Sequence, residues 1–140
     1  MRVMVIVKAN RDSEAGVMPS GELLAEMGKF NEELVKAGVM LAGEGLHPSS
    51  RGVRVRFDAG RSTVTDGPFT ESKELIAGFW LWQVKSMAEA IEWLRRSPFR
   101  NGHEELEIRR VFEAEDFPDC SPELRTKEAE LRQRVATASK

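Results

Sequence analysis

Hydrophobic and polar residues along the chain follow the patterns of strands and of helices. The first segment has the pattern of a buried strand. The apolar run from Val3 to Val7 is short and rich in β-branched residues, which is typical of a strand covered on both faces. The next apolar residues recur at helical spacing: Leu23, Met27, Phe30 and Leu34. They predict a helix that Ser20 caps and Gly38 closes.

Strict alternation predicts a hairpin in the middle of the chain. Residues 39–46 read as a second buried strand, in which Gly43 and Gly45 indicate a bulge or a close backbone approach. In "RGVRVRF" the apolar residues alternate with Arg54 and Arg56, so we expect a half-buried antiparallel strand with solvated arginines paired with acids. Residues 62–65 return as its partner, which places Asp66 at the strand end.

The second half of the chain repeats the strand and helix pattern. Residues 78–85 form an aromatic-rich strand, and Ser86 with Glu89 predicts a capping box for a helix that stops near Pro98. Residues 105–112 alternate as a last strand. A further helix begins near Pro122, with a thin apolar stripe over a charged segment.

The order of these elements predicts the fold class. Strand, helix, strand, hairpin, strand, helix and strand is the split βαβ plan of a ferredoxin-like α+β sandwich with an inserted hairpin and an antiparallel sheet. Both helices would cover one face of the sheet and leave the other face bare. A homodimer with its sheets packed face to face would cover that face.

Composition excludes several classes of function. The 140 residues are 41% hydrophobic and 31% charged, as expected of a globular protein with one core. A formal charge of −2 favours neither nucleic acid nor a membrane as a partner. We expect a cytoplasmic protein, because the first apolar run is too short for a signal peptide or a bilayer span. One cysteine and two histidines predict no metal site, and we expect no cofactor.

The segment "VTDGPFTESKE", residues 64–74, is the densest cluster of candidate chemistry. Asp66 either caps the turn that it begins or acts as an acid, base or hydrogen-bond acceptor. Gly67 and Pro68 make the corner rigid, and Phe69 is either a core residue or the wall of a ligand pocket.

Charged residues follow this corner and suggest a binding site for a small polar or anionic ligand. Glu71, Lys73 and Glu74 are either solvated or point back over the sheet end. In the functional interpretation Glu71 works with Asp66, and Lys73 binds an anionic group. His47, after the second strand, is either a loop residue or a proton carrier beside Asp66.

Four segments in this order resemble the YCII-related family, in its DGPF-domain branch: "GEGLHPSS", "VRVRFDAGRSTVTDGPFTESKELIAGFW", "EAIEWLRRSPF" and "ELEIRRVFEAEDF". The likeness spans residues 1–117 and leaves 118–140 as a C-terminal helical tail. It implies a dimeric α+β barrel with a cleft near the dimer contact. Related proteins carry a histidine–aspartate pair whose histidine precedes the first helix, but residues 9–20 contain no histidine, so the pair does not carry over.

Two functions of different class follow. The first is a small-molecule-binding protein or enzyme, with Asp66, His47 and Glu71 as catalytic candidates and residues 67–69 and Lys73 as ligand-binding candidates. The second rests on the resemblance, because members of the family are often encoded beside sigma factors of the extracytoplasmic-function type. It is a non-catalytic dimeric module that acts through such a protein partner.

Overall fold

The chain forms an open antiparallel sheet, a separate hairpin and four α-helices, in a computed structural model that describes residues 1–71 and 74–138. The elements are β1 (Arg2–Lys8), α1 (Arg11–Glu14), α2 (Gly21–Lys36), β2 (Met40–Gly45), β3 (Val53–Asp58), β4 (Arg61–Asp66), β5 (Ile76–Gln83), α3 (Met87–Arg95), β6 (Leu106–Arg110) and α4 (Pro122–Ala138). They fall into two compact units, Met1–Arg110 and Val111–Lys140.

The four-stranded sheet confirms the predicted α+β class. Its order is β2-β5-β1-β6, and every neighbouring pair is antiparallel. With α2 after β1 and α3 after β5, this is the ferredoxin-like arrangement. The sheet of the single chain is open, not a closed barrel.

The core lies between one sheet face and the helices α2 and α3. Nine buried residues form it: Val3, Val5, Phe30, Leu34, Val39, Trp80, Trp82, Val84 and Ala90. Phe30 of α2 meets Trp80 edge to face, with ring centroids 5.8 Å apart. Gly43 of β2 lies so close to the Trp80 ring that a Cβ would stand 2.6 Å from Cδ1. The strand therefore needs glycine there, which is the close approach predicted from the sequence.

Both long helices of the first unit begin at the predicted caps. The Ser20 hydroxyl accepts a hydrogen bond from Leu23 N at 3.1 Å, and Ser86 accepts one from Glu89 N at 3.1 Å. The predicted capping box at Ser86 is only half formed, because the Glu89 carboxylate accepts from Lys85 N instead of Ser86 N.

The hairpin of β3 and β4 differs from its prediction. Its strands pair with each other in a sheet of two, and every residue of both strands is exposed, so β3 is not half-buried. The alternation correctly gave a face with three apolar side chains but did not show that, among residues 1–71 and 74–138, the face stays exposed. Ala59 and Gly60, with φ of 47° and 89°, form the tight turn between the strands.

The second sheet face carries Met4, Ile6, Phe79 and Leu81. These side chains point away from the buried Val5 and Trp80, because alternate residues of a strand face opposite sides. They are half-buried, and among the described residues none belongs to the core cluster or packs against it. Neither α2 nor α3 therefore covers this face, as the sequence predicted.

The second unit is built around α4. The Ser121 hydroxyl accepts a hydrogen bond from Leu124 N at 3.2 Å, close to the predicted helix start. Phe112 and Phe117 stack with ring centroids 4.9 Å apart. In the ranges that the structure describes, no helix combines the length and apolar character that crossing a bilayer requires.

Truncation of Leu34 tests the assignment of the core. Leu34 is fully buried on α2, so Leu34→Ala should lower the free energy of unfolding by about 2–5 kcal/mol through lost burial and a cavity. Urea denaturation measures this, with the neighbouring Val35→Ala as the control. Val35 is 61% exposed, and its substitution should cost no more than about 0.5 kcal/mol. Equal effects of the two substitutions would contradict the assignment.

Candidate functional site

The corner at residues 66–69 is packed directly against the turn at residues 49–51. Gly67 N donates to the Gly52 carbonyl at 3.0 Å, and Gly52 N donates to the Ser49 carbonyl at 2.9 Å. A Cβ at Gly67 would overlap the Ser49 carbonyl oxygen. Because the base of the hairpin lies directly on the backbone of the turn, only glycine fits at position 67. The Gly67–Pro68 peptide bond is cis.

A polar network ties this base to the segment that follows β1. The half-buried Glu14 carboxylate accepts hydrogen bonds from both the backbone N–H and the hydroxyl of Ser49. The same hydroxyl accepts the Phe69 N–H at 3.0 Å. Ser49 thereby joins three segments that are 35 and 20 residues apart in the sequence.

Glu14 is held in place by α1, a single helical turn for which the apolar pattern of the sequence gave no sign. Asn10 caps this turn by accepting a hydrogen bond from Ser13 N at 2.8 Å, and Asn10 N donates to the Ser13 hydroxyl in return. This reciprocal cap has Ser at the third position in place of Glu or Gln, which made it hard to recognise. It orders the segment between β1 and α2.

The guanidinium group of Arg54 lies over the ring of Phe69. The Arg54 Cζ lies 3.8 Å from the ring centroid, while the Phe69 side chain is half-buried and stands outside the core cluster. Such a cation–π contact contributes roughly 0.5–1 kcal/mol at an exposed site. It favours a position of the Arg54 guanidinium beside the corner.

The arginines of the hairpin lie on one face. Arg54 is opposite Thr65, Arg56 is opposite Thr63, and directly opposed residues share a face. Arg61 lies on this face too, opposite Asp58. Among the described residues none of these arginines forms an ion pair, so the expected pairing with acids is wrong.

Asp66 and Arg54 lie on opposite faces of the hairpin. Asp66 ends β4 opposite Val53, on the face of the apolar residues, and its side chain is exposed. It does not cap the turn, because Pro68 has no N–H and the Phe69 N–H donates to Ser49. Within the described residues, no hydrogen bond or ion pair links Asp66 to His47, which lies exposed after β2.

The remaining sequence candidates lie near the same corner. Pro68 and Glu71 are exposed, and the Glu71 carbonyl accepts Glu74 N at 2.9 Å. Lys73 falls outside the described residues. Across residues 1–71 and 74–138 no group of three or more His, Cys, Asp or Glu side chains is placed to hold a metal ion.

The second unit contains a groove of about 570 Å³ along α4, lined mostly by apolar side chains. Its lining includes Phe117, Pro118, Leu124 and Leu131. Leu124 and Leu131 are 58% and 50% exposed, so α4 presents an apolar stripe. This stripe is the thin one that the sequence predicted.

Sequence reasoning missed Glu14 and Ser49 and underrated Arg54. Glu14 sits in a polar loop pattern, and Ser49 in "HPSS" has no feature that separates it from a turn serine. Their meeting depends on contacts across 35 residues, which a local pattern does not encode. The alternation did place Arg54 on the polar face, but the ring beneath it comes from the later DGPF corner.

Comparison with known proteins shows what this chain is similar to. A family model, the YCII-related domain, matches residues 1–115. An uncharacterized protein of Rhizobium meliloti is 32% identical over 73 residues, which are 52% of this chain and 59% of that relative. The 5-chloro-2-hydroxyhydroquinone dehydrochlorinase of Burkholderia phenoliruptrix, solved with 2,5-dihydroxybenzoquinone, matches with a TM-score of 0.48 and 17% identity over 83% of this chain and 98% of that chain.

Removal of the Ser49 hydroxyl tests the network. Ser49→Ala leaves the Phe69 N–H without its acceptor and Glu14 without one donor, at a cost of about 0.5–1.5 kcal/mol because these groups are only part-buried. Amide hydrogen exchange at Phe69 should therefore become about 2- to 10-fold faster. Ser50→Ala, in the exposed neighbouring residue, is the control and should leave that rate unchanged. Identical rates in both variants would show that Ser49 does not hold the corner.

Proposed function

The chain belongs to the YCII-related family, and on this premise we propose that it is a homodimeric small-molecule-binding protein. Its binding site lies at the corner of residues 66–71 and takes a small anionic ligand. The carrying observation is the Arg54 guanidinium stacked 3.8 Å above Phe69 and free of an ion pair among the described residues. We also propose, from the tetrapeptide DGPF at residues 66–69, that the chain belongs to the branch of that name.

A stacked, unpaired guanidinium is suited to binding carboxylate or phosphate. Its planar fork donates two parallel hydrogen bonds to such groups, which adds orientation to charge attraction. Arg54 does not have to leave an acidic partner in order to bind, because its guanidinium forms no ion pair among the described residues. The half-buried ring of Phe69 supplies the apolar floor that small-ligand sites use. Lys73 follows closely in the sequence and is proposed as a second anion-binding residue.

Whether the bound molecule also reacts is a separate matter. Asp66, His47 and Glu71 stay predicted acid–base residues in this proposal. General acid–base groups work within hydrogen-bond reach of the proton that they move, directly or through one water. The proposal therefore assigns binding to Arg54 and Phe69 and makes no assignment of a reaction.

The homodimer is proposed to form through the bare sheet face. Met4, Ile6, Phe79 and Leu81 form an apolar surface that neither long helix of the first unit covers. Two such faces packed against each other would give each chain the second layer that a sheet needs. This arrangement would be the dimeric α+β barrel that the family resemblance implies.

We place the protein in the cytoplasm and without nucleic acid or membrane as partners. The support is compositional, because the near-neutral charge gives no field that would gather polyanions. One cysteine in the sequence also precludes an intrachain disulfide, which fits a reducing compartment.

A second candidate is a non-catalytic dimeric module that acts through a protein such as an extracytoplasmic-function sigma factor. The apolar stripe of Leu124, Leu131 and Val135 on α4 supports it, because such a stripe can pack against a partner helix. Titration of the full chain with such a factor tests it, and Leu131→Asp should abolish the binding heat. Unchanged binding by that variant would remove α4 as the contact.

Substitution of Arg54 tests the ligand site. In a thermal-shift assay at low salt with inorganic phosphate, pyrophosphate and a series of small carboxylates, at least one compound should raise the Tm. At 100 times Kd the stabilisation is about 2.7 kcal/mol, or about 5–10 °C for a chain of this size. Arg54→Gln should lose this shift because it removes both the charge and the donor fork.

Arg56→Gln provides the matched control for that assay. Arg56 lies on the same hairpin face as Arg54, but among the described residues no aromatic ring lies beneath its side chain. Most of the rise in Tm should therefore remain in this variant. Equal loss in both variants would indicate diffuse charge attraction in place of a site. No shift with any of the anions would overturn the proposal.

A charge on the bare sheet face tests the dimer. Light scattering at micromolar concentration should give twice the chain mass of 15.8 kDa. Leu81→Glu should reduce this to one chain, because it would bury an unpaired carboxylate in the interface. Leu24→Glu, at a 56% exposed position on α2, is the control and should stay dimeric. A monomeric native protein would contradict the proposal.

A further inference from the structure

We infer that the β3–β4 hairpin is an arm that packs its apolar face on a second copy of the chain. This inference rests on the dimer proposed above and adds to it a contact that the sheet face does not contain. The apolar face consists of Val53, Val55, Phe57 and Val64, which are 59%, 48%, 79% and 62% exposed in the single chain.

The exposure of this face is unusual for a two-stranded hairpin. Two strands by themselves are marginally stable in water and need a further strand or a packed layer. Here Val55 is paired with Val64, and Phe57 with Ser62, so three apolar side chains that are 48–79% exposed lie on one face. A face of this kind requires a cover from outside the chain.

The separation of charge on the hairpin allows such a cover. Arg54, Arg56 and Arg61 all lie on the opposite face, so burial of the apolar face does not bury a guanidinium. Asp66 is the one charged residue of the two strands on the apolar side, and it lies at the base, where the face ends. The apolar face can therefore be desolvated without an unpaired charge at its centre.

The base of the hairpin is fixed well enough to aim it. Gly67 N is bound to the Gly52 carbonyl, and the Phe69 N–H to the Ser49 hydroxyl, which in turn donates to Glu14. A hairpin held at its base presents its outer face in one direction. It loses little further conformational freedom when it binds, which favours association.

The area that a stable dimer requires points to a second copy as the occupant. A specific interface covers about 800 Å² on each partner. The side chains of the bare sheet face are already half-buried, so they supply only part of this area. Phe57 alone, with a ring that buries about 150–250 Å² in full contact, leaves most of its surface open. The arm therefore provides apolar area that a symmetric dimer would otherwise lack.

The arrangement also assigns the two hairpin faces to different partners. When a second copy covers the side of Val55 and Phe57, Arg54 on the other face stays open to a ligand, while Asp66 comes to the edge of the interface. The arm then links ligand binding to assembly through the shared strands β3 and β4.

Photo-crosslinking tests the arm directly. The photoreactive residue p-benzoylphenylalanine, placed at position 57 in the full chain, should yield a covalent dimer after irradiation. The same residue at position 56, on the opposite face of the same strand, is the matched control and should give a much smaller yield. Mass spectrometry of the adduct should locate the bond between peptides of two chains. Equal yields from the two positions would overturn the inference.

Substitution of the apolar face gives an independent measure. The double variant Val55→Ser with Phe57→Ser should weaken dimerisation by about 10-fold or more in sedimentation equilibrium, because it removes apolar groups at an interface core. The single variant Phe57→Leu keeps an apolar side chain at position 57 and should retain most of the native dimer affinity. Both residues are exposed in the single chain, so circular dichroism should show an unchanged fold.

The outcomes separate this inference from the proposed dimer. A native protein that is monomeric at every concentration contradicts both. A native dimer that Leu81→Glu dissociates, but that the serine double variant leaves at its native Kd, supports the sheet-face interface and overturns the arm. Intrachain adducts alone from position 57 would also overturn it.

Discussion

The hydroxyl of Ser49 is the contact on which the arrangement of the first unit's hairpin depends. It donates to Glu14 and accepts the Phe69 N–H, while the backbone of the same turn lies against Gly67. Three segments that meet at the sheet end are thereby held together by one small side chain. Because a glycine and a backbone carbonyl define the closest approach, the hairpin base cannot shift without a break in these hydrogen bonds.

This constraint gives the two faces of the hairpin their separate uses. The twist and pairing of β3 and β4 put the arginines and threonines on one face and the valines and Phe57 on the other. Phe69, whose backbone N–H is bound to Ser49, then lies beneath the guanidinium of Arg54. The face proposed for a ligand and the face proposed for a second chain are therefore both held at one anchored turn.

The sequence predicted the sheet, its helices and their caps because periodicity reports which side chains are buried. Each of the three predicted segments that contain Val3, Leu34 and Trp80 has the apolar pattern of a covered strand or helix face. All three residues are buried. The same reasoning could not place Glu14 beside Ser49, because both are polar residues in loops and polar partners leave no period. Alternation in β3 showed that Phe57 belongs to an apolar face, but it contains no information about which molecule covers that face.

The proposed anion-binding residue Arg54 and the candidate acid–base residue Asp66 lie on opposite faces of the hairpin. The anion that we propose for Arg54 would lie on the hairpin face opposite to that of Asp66. An acid–base role of Asp66 would then act on a molecule on the apolar side, at the margin of the proposed interface. There a covering chain would exclude water and strengthen the electrostatic effect of the carboxylate. In this family member the assembly of two chains, and not the corner alone, would decide whether a bound molecule is also changed.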